Sequence, residues 1–217
     1  MSSLSRVRDY FDRAARRFDA IYERDKPLSQ RIVDRLFRQV VLERFHLICR
    51  LAAGPEGFSV LDVGCGSGRY AIALAAAGGR VTGVDVSAAM IELARSEASK
   101  AGCAERCRFS VSPFQDFESP ASFDAVVATG YFDYLEEPAP QLRKMMRFCR
   151  GRIFATFPKR WELRVPIRKL RFWLAGGFVR FYARAEVIRL FQEARLPADR
   201  LELIDLGRDL VAVARVA

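Results

Sequence analysis

Apolar positions along the chain fall into two regimes that change at residue 58. In residues 4–24, Tyr10, Ala14, Phe18, Ile21 and Tyr22 recur every three or four residues with arginines between them, which predicts an amphipathic helix. Lys26-Pro27 breaks it. A second helix is expected over about 29–52, with Ile32, Leu36, Val40, Phe45 and Ile48 on its apolar side, ended by Gly54-Pro55-Glu56-Gly57. From residue 58, short β-rich runs alternate with helical stretches. The strands are FSVLDVG (58–64), RVTGVDV (80–86), RCRFSVS (106–112), FDAVVATG (123–130) and RIFATFP (152–158). Helices are expected at about 68–77, 87–101, 138–149 and 183–194. This alternation predicts a parallel sheet with helices on both faces. LELIDLG (201–207) and DLVAVARV (209–216), separated by a very short turn, should close it as an antiparallel hairpin.

The first strand leads into VLDVGCGSGRY (60–70), where Asp62 interrupts an apolar run and Gly64, Gly66 and Gly68 follow at alternate positions. Glycines let a backbone approach a ligand closely, and the next helix offers free N–H groups and positive potential. The spacing is G-x-G-x-G. Arg69 stands where a dinucleotide site has its third glycine, and no G-K-S/T follows, so neither a dinucleotide fingerprint nor a P-loop is present. Asp85 ends the next strand, 17 residues after Gly68. A carboxylate there can accept from both ribose hydroxyls, and ligands of open α/β sheets bind outside the strand ends where strand order reverses.

Composition narrows the classes. The 217 residues suit one domain with a subdomain, and 51% are apolar, enough for a substantial core. No apolar run reaches the ~18 residues of a membrane span. The charged first residues lack a secretory pattern, so a soluble cytoplasmic protein with reduced thiols is expected. Five cysteines without paired ligand spacing and one histidine, His46, argue against a metal site. His46 lies in FHLIC and is expected to be buried and structural. The net charge of +10 raises the question of an anionic partner: nucleic acid, a membrane surface or an acidic substrate.

Through VLDVGCGSG (60–68), VTGVDVS (81–87), FDAVVATGYFDYL (123–135), GRIFATFP (151–158) and the final hairpin, the sequence resembles the class I S-adenosylmethionine-dependent methyltransferase family, small-molecule type. The resemblance implies a Rossmann-like α/β fold, with a seven-stranded mostly parallel sheet of order 3-2-1-4-5-7-6 and strand 7 antiparallel. Residues 1–54 would form an N-terminal helical cap, and 55–217 the core with a basic, aromatic insertion at 158–182. It implies S-adenosylmethionine as cofactor. Asp62 and the turn Gly64, Cys65, Gly66, Gly68 would hold the methionine part, with Asp62 near its ammonium. Asp85 would take the ribose, and Val86 and Met90 the adenine face. Where many members carry an Asp for the adenine amine, this chain has Pro113; Phe114 could pack on adenine and Gln115 or Asp116 could accept from the amine. Thr129 is expected on the cofactor side.

The acceptor is expected over the ends of strands 4 and 5. The Asn/Asp-Pro-Pro-Tyr/Phe motif of amino-methyltransferases of DNA is absent, which argues against nucleic acid. Tyr131, Phe132 and Tyr134 suit a small or lipidic acceptor, with Tyr22 beside it, and Asp133 and Tyr134 are candidates for proton handling. In 158–182, Arg164, Arg168 and Arg171 share one helical face flanked by Trp161 and Trp173. That segment reads as an ordinary surface helix, as a lid whose Arg164 and Arg168 bind an acceptor anion, or as a peripheral membrane contact. The expected function is methyl transfer to a small molecule, with oxygen slightly favoured. The alternatives are phospholipid or other N-methylation at a membrane surface, RNA methylation, and a non-catalytic cofactor-binding module.

Overall fold

The computed structural model describes residues 5–12, 41–160 and 179–216. The expected contacts of Tyr22, Arg164 and Arg168, and the helical face that they were to share with Arg171 in 158–182, lie outside the described residues. Helical residues 5–12 (α1) and 41–52 (α2) precede the sheet. Then follow β1 (Ser59–Val63), α3 (Arg69–Ala76), β2 (Arg80–Asp85), α4 (Ala88–Lys100), β3 (Cys107–Val111), β4 (Phe123–Ala128), α5 (Pro138–Phe148), β5 (Cys149–Pro158), α6 (Arg184–Glu193), β6 (Leu201–Asp205) and β7 (Asp209–Arg215).

The seven strands are ordered β3-β2-β1-β4-β5-β7-β6. Pairs β1–β2, β1–β4, β2–β3 and β4–β5 are parallel, and β7 runs antiparallel to β5 and β6. Strand order reverses beside β1, so the ligand crevice of such a sheet is expected at the C-terminal ends of β1 and β4. Alternation along each strand feeds two cores. Leu61, Val63, Val126, Ile153 and Phe157 pack against Leu142 and Met145 of α5 and Val187 and Phe191 of α6. Val60, Val127, Phe154 and Val211 pack against Ile48 and Ala52 of α2 and Ala71 and Leu74 of α3. Asp62 shares the second direction by the period of two.

The helix ends follow local chemistry. The Ser87 side chain accepts from the Met90 N–H at 3.1 Å and caps α4. Pro138 opens α5, where its missing N–H costs nothing. The Ala183 N–H donates to Glu186 at 2.7 Å and fixes the start of α6.

Strand boundaries agree with the sequence pattern to within a residue or two, except that β5 begins at Cys149 rather than 152. The register shifts between Phe123 and Ala125, where three residues of β5 answer two of β4. Gly151 sits in this bulge, and a Cβ there would come within 2.2 Å of the Asp124 carbonyl oxygen. His46 is exposed rather than buried. Phe45 and Ile48 turn toward the core, and the next position on the helix turns out. Among the described residues no helix is long and apolar enough to cross a membrane, and no cluster of His, Cys, Asp or Glu could hold a metal ion.

Candidate active site

The glycine turn after β1 is pinned to β2. The N–H groups of Gly64 and Cys65 both donate to the Val84 carbonyl, at 2.8 and 3.1 Å, and the Gly68 N–H donates to Cys65 at 2.9 Å. Two of its glycines are required for different reasons. A Cβ on Gly64 would lie 2.9 Å from the Tyr131 ring, so this turn and the β4 loop touch. At Gly66, with φ +51°, a Cβ would meet nothing within 4 Å, so this backbone borders open space. Cys65 offers backbone only. Its Sγ lies against Gly83 of β2, and burial pushes its thiol well above the ordinary range.

Asp62 lies beneath this turn with 1% of its surface exposed. Neither carboxylate oxygen has a hydrogen-bond partner among the described residues. Burial pushes its pKa up to about 7; the Ala71 amide works in the opposite direction, and Asp85 adds to the rise. An orphaned buried carboxylate is costly unless a cation or a donor meets it. With the open face at Gly66, these residues fit a ligand that carries an ammonium.

Asp85 ends β2 and is held by backbone. The Gly66 N–H donates to Oδ2 and the Ser87 N–H to Oδ1, both at 2.9 Å. Burial raises its pKa, and these N–H groups oppose the rise. Met90 is buried behind Ser87 and Val86 is half-buried. Phe114 is buried in a short 3-10 turn, its ring centroid 6.2 Å from that of Tyr131. The Gln115 side chain is exposed, and its carbonyl accepts from Lys144 at 2.6 Å. Asp62, the glycine turn, Asp85, Val86, Met90 and Phe114 thus lie along the ends of β1 to β3.

Across the crevice, Thr129 is half-buried and the Gly130 N–H donates to Thr156 at 2.8 Å, tying the ends of β4 and β5. The Tyr131 hydroxyl bonds Gln141 of α5 at 3.2 Å. Burial, then the charge of Asp85, holds this phenol protonated beyond its ordinary range. Phe132 is fully buried, and its carbonyl accepts from the Tyr182 hydroxyl at 2.9 Å. Asp133 is 6% exposed, and its carbonyl accepts from the Arg180 N–H at 2.8 Å. The Tyr134 ring meets Phe11 of α1 edge-on at 5.3 Å, and with Tyr10 it packs against Val179 and Phe181. Tyr131, Asp133 and Tyr134 thus follow β4 in one loop, with Tyr131 packed toward Phe114 and α5 and Tyr134 toward α1.

Sequence reasoning missed two members of this rim. Ser87 is fully buried and its hydroxyl donates to Asp12 of α1. A serine just before a helical run is readable as a cap; no local pattern indicates which residue of α1 would reach it. Gln141 was also missed, because its role depends on Tyr131 being turned toward α5.

Residues 60–151 match the family model of a methyltransferase domain. Over 106 residues the chain is 34% identical to a ubiquinone biosynthesis O-methyltransferase of Pseudomonas paraeruginosa, a match that covers 48% of this chain and 46% of the relative. A protein of the same name from Sodalis glossinidius is 28% identical over 161 residues, 71% of this chain and 61% of its own length. The chain thus spans about half the length of the curated relatives it matches. Among solved structures, magnesium protoporphyrin IX methyltransferase from Synechocystis PCC 6803 with bound SAH superposes with a TM-score of 0.75 at 19% identity, covering 99% of each chain. An O-methyltransferase family 2 protein from Planctomyces limnophilus, in complex with apigenin, gives 0.65 at 16% identity over 90% of this chain and 63% of its own. Residues 60–151 thus match a methyltransferase domain, and the sheet order β3-β2-β1-β4-β5-β7-β6 gives the chain the Rossmann-like fold that it shares with these solved methyltransferases.

Proposed function

We propose that the chain transfers a methyl group from S-adenosylmethionine to an oxygen of a small-molecule acceptor. The observation that carries this reading is the orphaned Asp62 carboxylate beside the open glycine turn, within the span that matches a methyltransferase domain. The O-methyltransferase relatives support oxygen as the atom methylated. When bound, the cofactor supplies an electrophilic methyl on a sulfonium, so most of the protein's work is positioning. In this reading Asp62 takes the ammonium, the backbone of Gly64 to Gly68 lines the methionine part, and Asp85 takes ribose. Val86, Met90 and Phe114 enclose the adenine, and Thr129 flanks the cofactor from β4.

The acceptor side is assigned to Tyr131 and Tyr134, which suit a planar, largely apolar molecule, while Phe132, expected beside them, is buried in the core behind them. The net charge of +10 supports an anionic group on it. Tyr22, Arg164 and Arg168 stay candidates for that group. A neutral hydroxyl acceptor needs a base, and Asp133 with Tyr134 is the pair we assign to it. Residues 1–54 act as a cap over a core of 55–217, with 158–182 inserted between β5 and α6.

The test has two steps. Calorimetric titration with S-adenosylhomocysteine, beside NADH, should give micromolar binding of the first only. Transfer of a labelled methyl group to hydroxylated aromatics and to aromatic carboxylates should then identify the acceptor class. Absence of S-adenosylhomocysteine binding would overturn the reading.

A further inference from the structure

We propose that Asp12 of α1 is part of the cofactor site, a second carboxylate that accepts from the ribose hydroxyls beside Asp85. The inference rests on the cofactor reading above and extends that site to the N-terminal helix.

The geometry converges through one residue. Ser87 is fully buried, and three of its hydrogen bonds meet here. Its N–H donates to Asp85 Oδ1 at 2.9 Å, its Oγ accepts from the Met90 N–H at 3.1 Å, and its hydroxyl donates to Asp12 Oδ1 at 2.5 Å. Asp12 and Asp85 therefore meet at the end of β2 although 73 residues of sequence separate them. Each oxygen of Asp85 carries one backbone N–H, which leaves lone pairs on both. The second oxygen of Asp12 has no hydrogen bond among the described residues.

Two half-buried carboxylates this close repel, and Asp12 is one of the groups that raise the Asp85 pKa. Among the described residues neither pairs with a lysine or arginine. The arrangement calls for donors from outside the chain, and a vicinal diol brings two O–H groups. An independent sign of a ligand stands one strand away: Asp62, 1% exposed with both oxygens unpartnered, lies within electrostatic reach of Asp85. The rest of α1 is fixed as well. Phe11 meets Tyr134 edge-on, and Tyr10 packs against Val179 and Phe181. Asp12 is thus held at the ribose end by a helix that rests on the acceptor side, and binding the cofactor would strengthen the cap over both.

The test compares S-adenosylhomocysteine with its 2′-deoxy and 3′-deoxy analogues by calorimetry on the full chain, as wild type, Asp12→Ala, Asp12→Asn and Ser87→Ala. Asp12→Ala should weaken S-adenosylhomocysteine binding by about 10- to 100-fold, the loss of a hydrogen bond to a charged group. The decisive readout is the penalty for deleting a hydroxyl. It should be about 10-fold in wild type for at least one analogue and fall to about twofold or less in Asp12→Ala. Ser87→Ala removes the link but keeps the carboxylate, so its hydroxyl penalty should stay near wild type. Asp12→Asn keeps shape and should fall between. An unchanged hydroxyl penalty in Asp12→Ala would overturn the proposal and leave Asp12 as a tether for α1 alone. A wild-type chain that binds no S-adenosylhomocysteine would overturn the cofactor reading, and this inference with it.

Discussion

Replacing Asp62 by Asn should stabilise the ligand-free protein at alkaline pH while damaging cofactor binding. The fold raises the Asp62 pKa from 3.8 to about 7, chiefly by burial. Each pKa unit is worth about 1.36 kcal/mol. The ionised group therefore costs the fold about 4 kcal/mol once the pH exceeds the folded pKa. The sign follows from proton binding: between about pH 4 and pH 7 the folded state keeps a proton that the unfolded chain has lost. This contribution to stability is complete below 3.8 and lost as pH rises through about 7. At pH 5 the penalty is only about 1.5 kcal/mol by the same linkage. Asn removes the titration but buries an amide with no partner, at a cost of about 1–3 kcal/mol at every pH. Urea unfolding of both proteins should then give a variant-minus-wild-type stability about 2.5 kcal/mol more favourable at pH 8 than at pH 5. Affinity for S-adenosylhomocysteine at pH 8 should fall by about 1.5–3 kcal/mol, because the ammonium loses a charged partner. A stability difference that is the same at both pH values would mean that Asp62 is ionised and satisfied without ligand. The argument that it waits for an ammonium would then fail.

Three further outcomes follow from distances already given. Asp85→Ala should weaken S-adenosylhomocysteine binding by about 1–3 kcal/mol, measured calorimetrically, because two backbone N–H groups lose their acceptor together with the ribose. Gly66→Val should leave a folded chain with a lowered thermal midpoint, since φ there is +51°, and should abolish binding by filling the open face of the turn. Gly151→Ala should destabilise by about 1–3 kcal/mol or more in urea, because its Cβ would stand 2.2 Å from the Asp124 carbonyl oxygen. That bulge lies at the opposite end of the strands from the crevice, so the folded fraction of Gly151→Ala should bind with unaltered affinity.

What could be read from the sequence was what short range determines. The glycine turn and Asp85 were legible because a β-to-α turn writes its backbone needs into consecutive residues, and the sheet's alternation writes itself with a period of two. The start of β5 was not, because the bulge at Gly151 exists to pass the Asp124 carbonyl on the next strand, a contact outside any local window. His46 shows the same limit within one helix. FHLIC is apolar enough to suggest burial, yet α2 places Phe45 and Ile48 on the core, and an adjacent position turned by ~100° faces away. The direction of the Cys65 side chain was not legible either, because its thiol lies against Gly83 on the neighbouring strand and leaves only its backbone to the turn. Asp12 is the extreme case. Nothing in an arginine-rich amphipathic helix distinguishes one acid from its neighbour Asp9, and only tertiary contacts of α1, among them the bond to Ser87 75 residues on and the packing of Phe11 and Tyr10, bring Asp12 to the strand ends. The residues that complete this site are thus the ones that the sequence hides, because they arrive on a cap helix whose docking is decided by tertiary contacts.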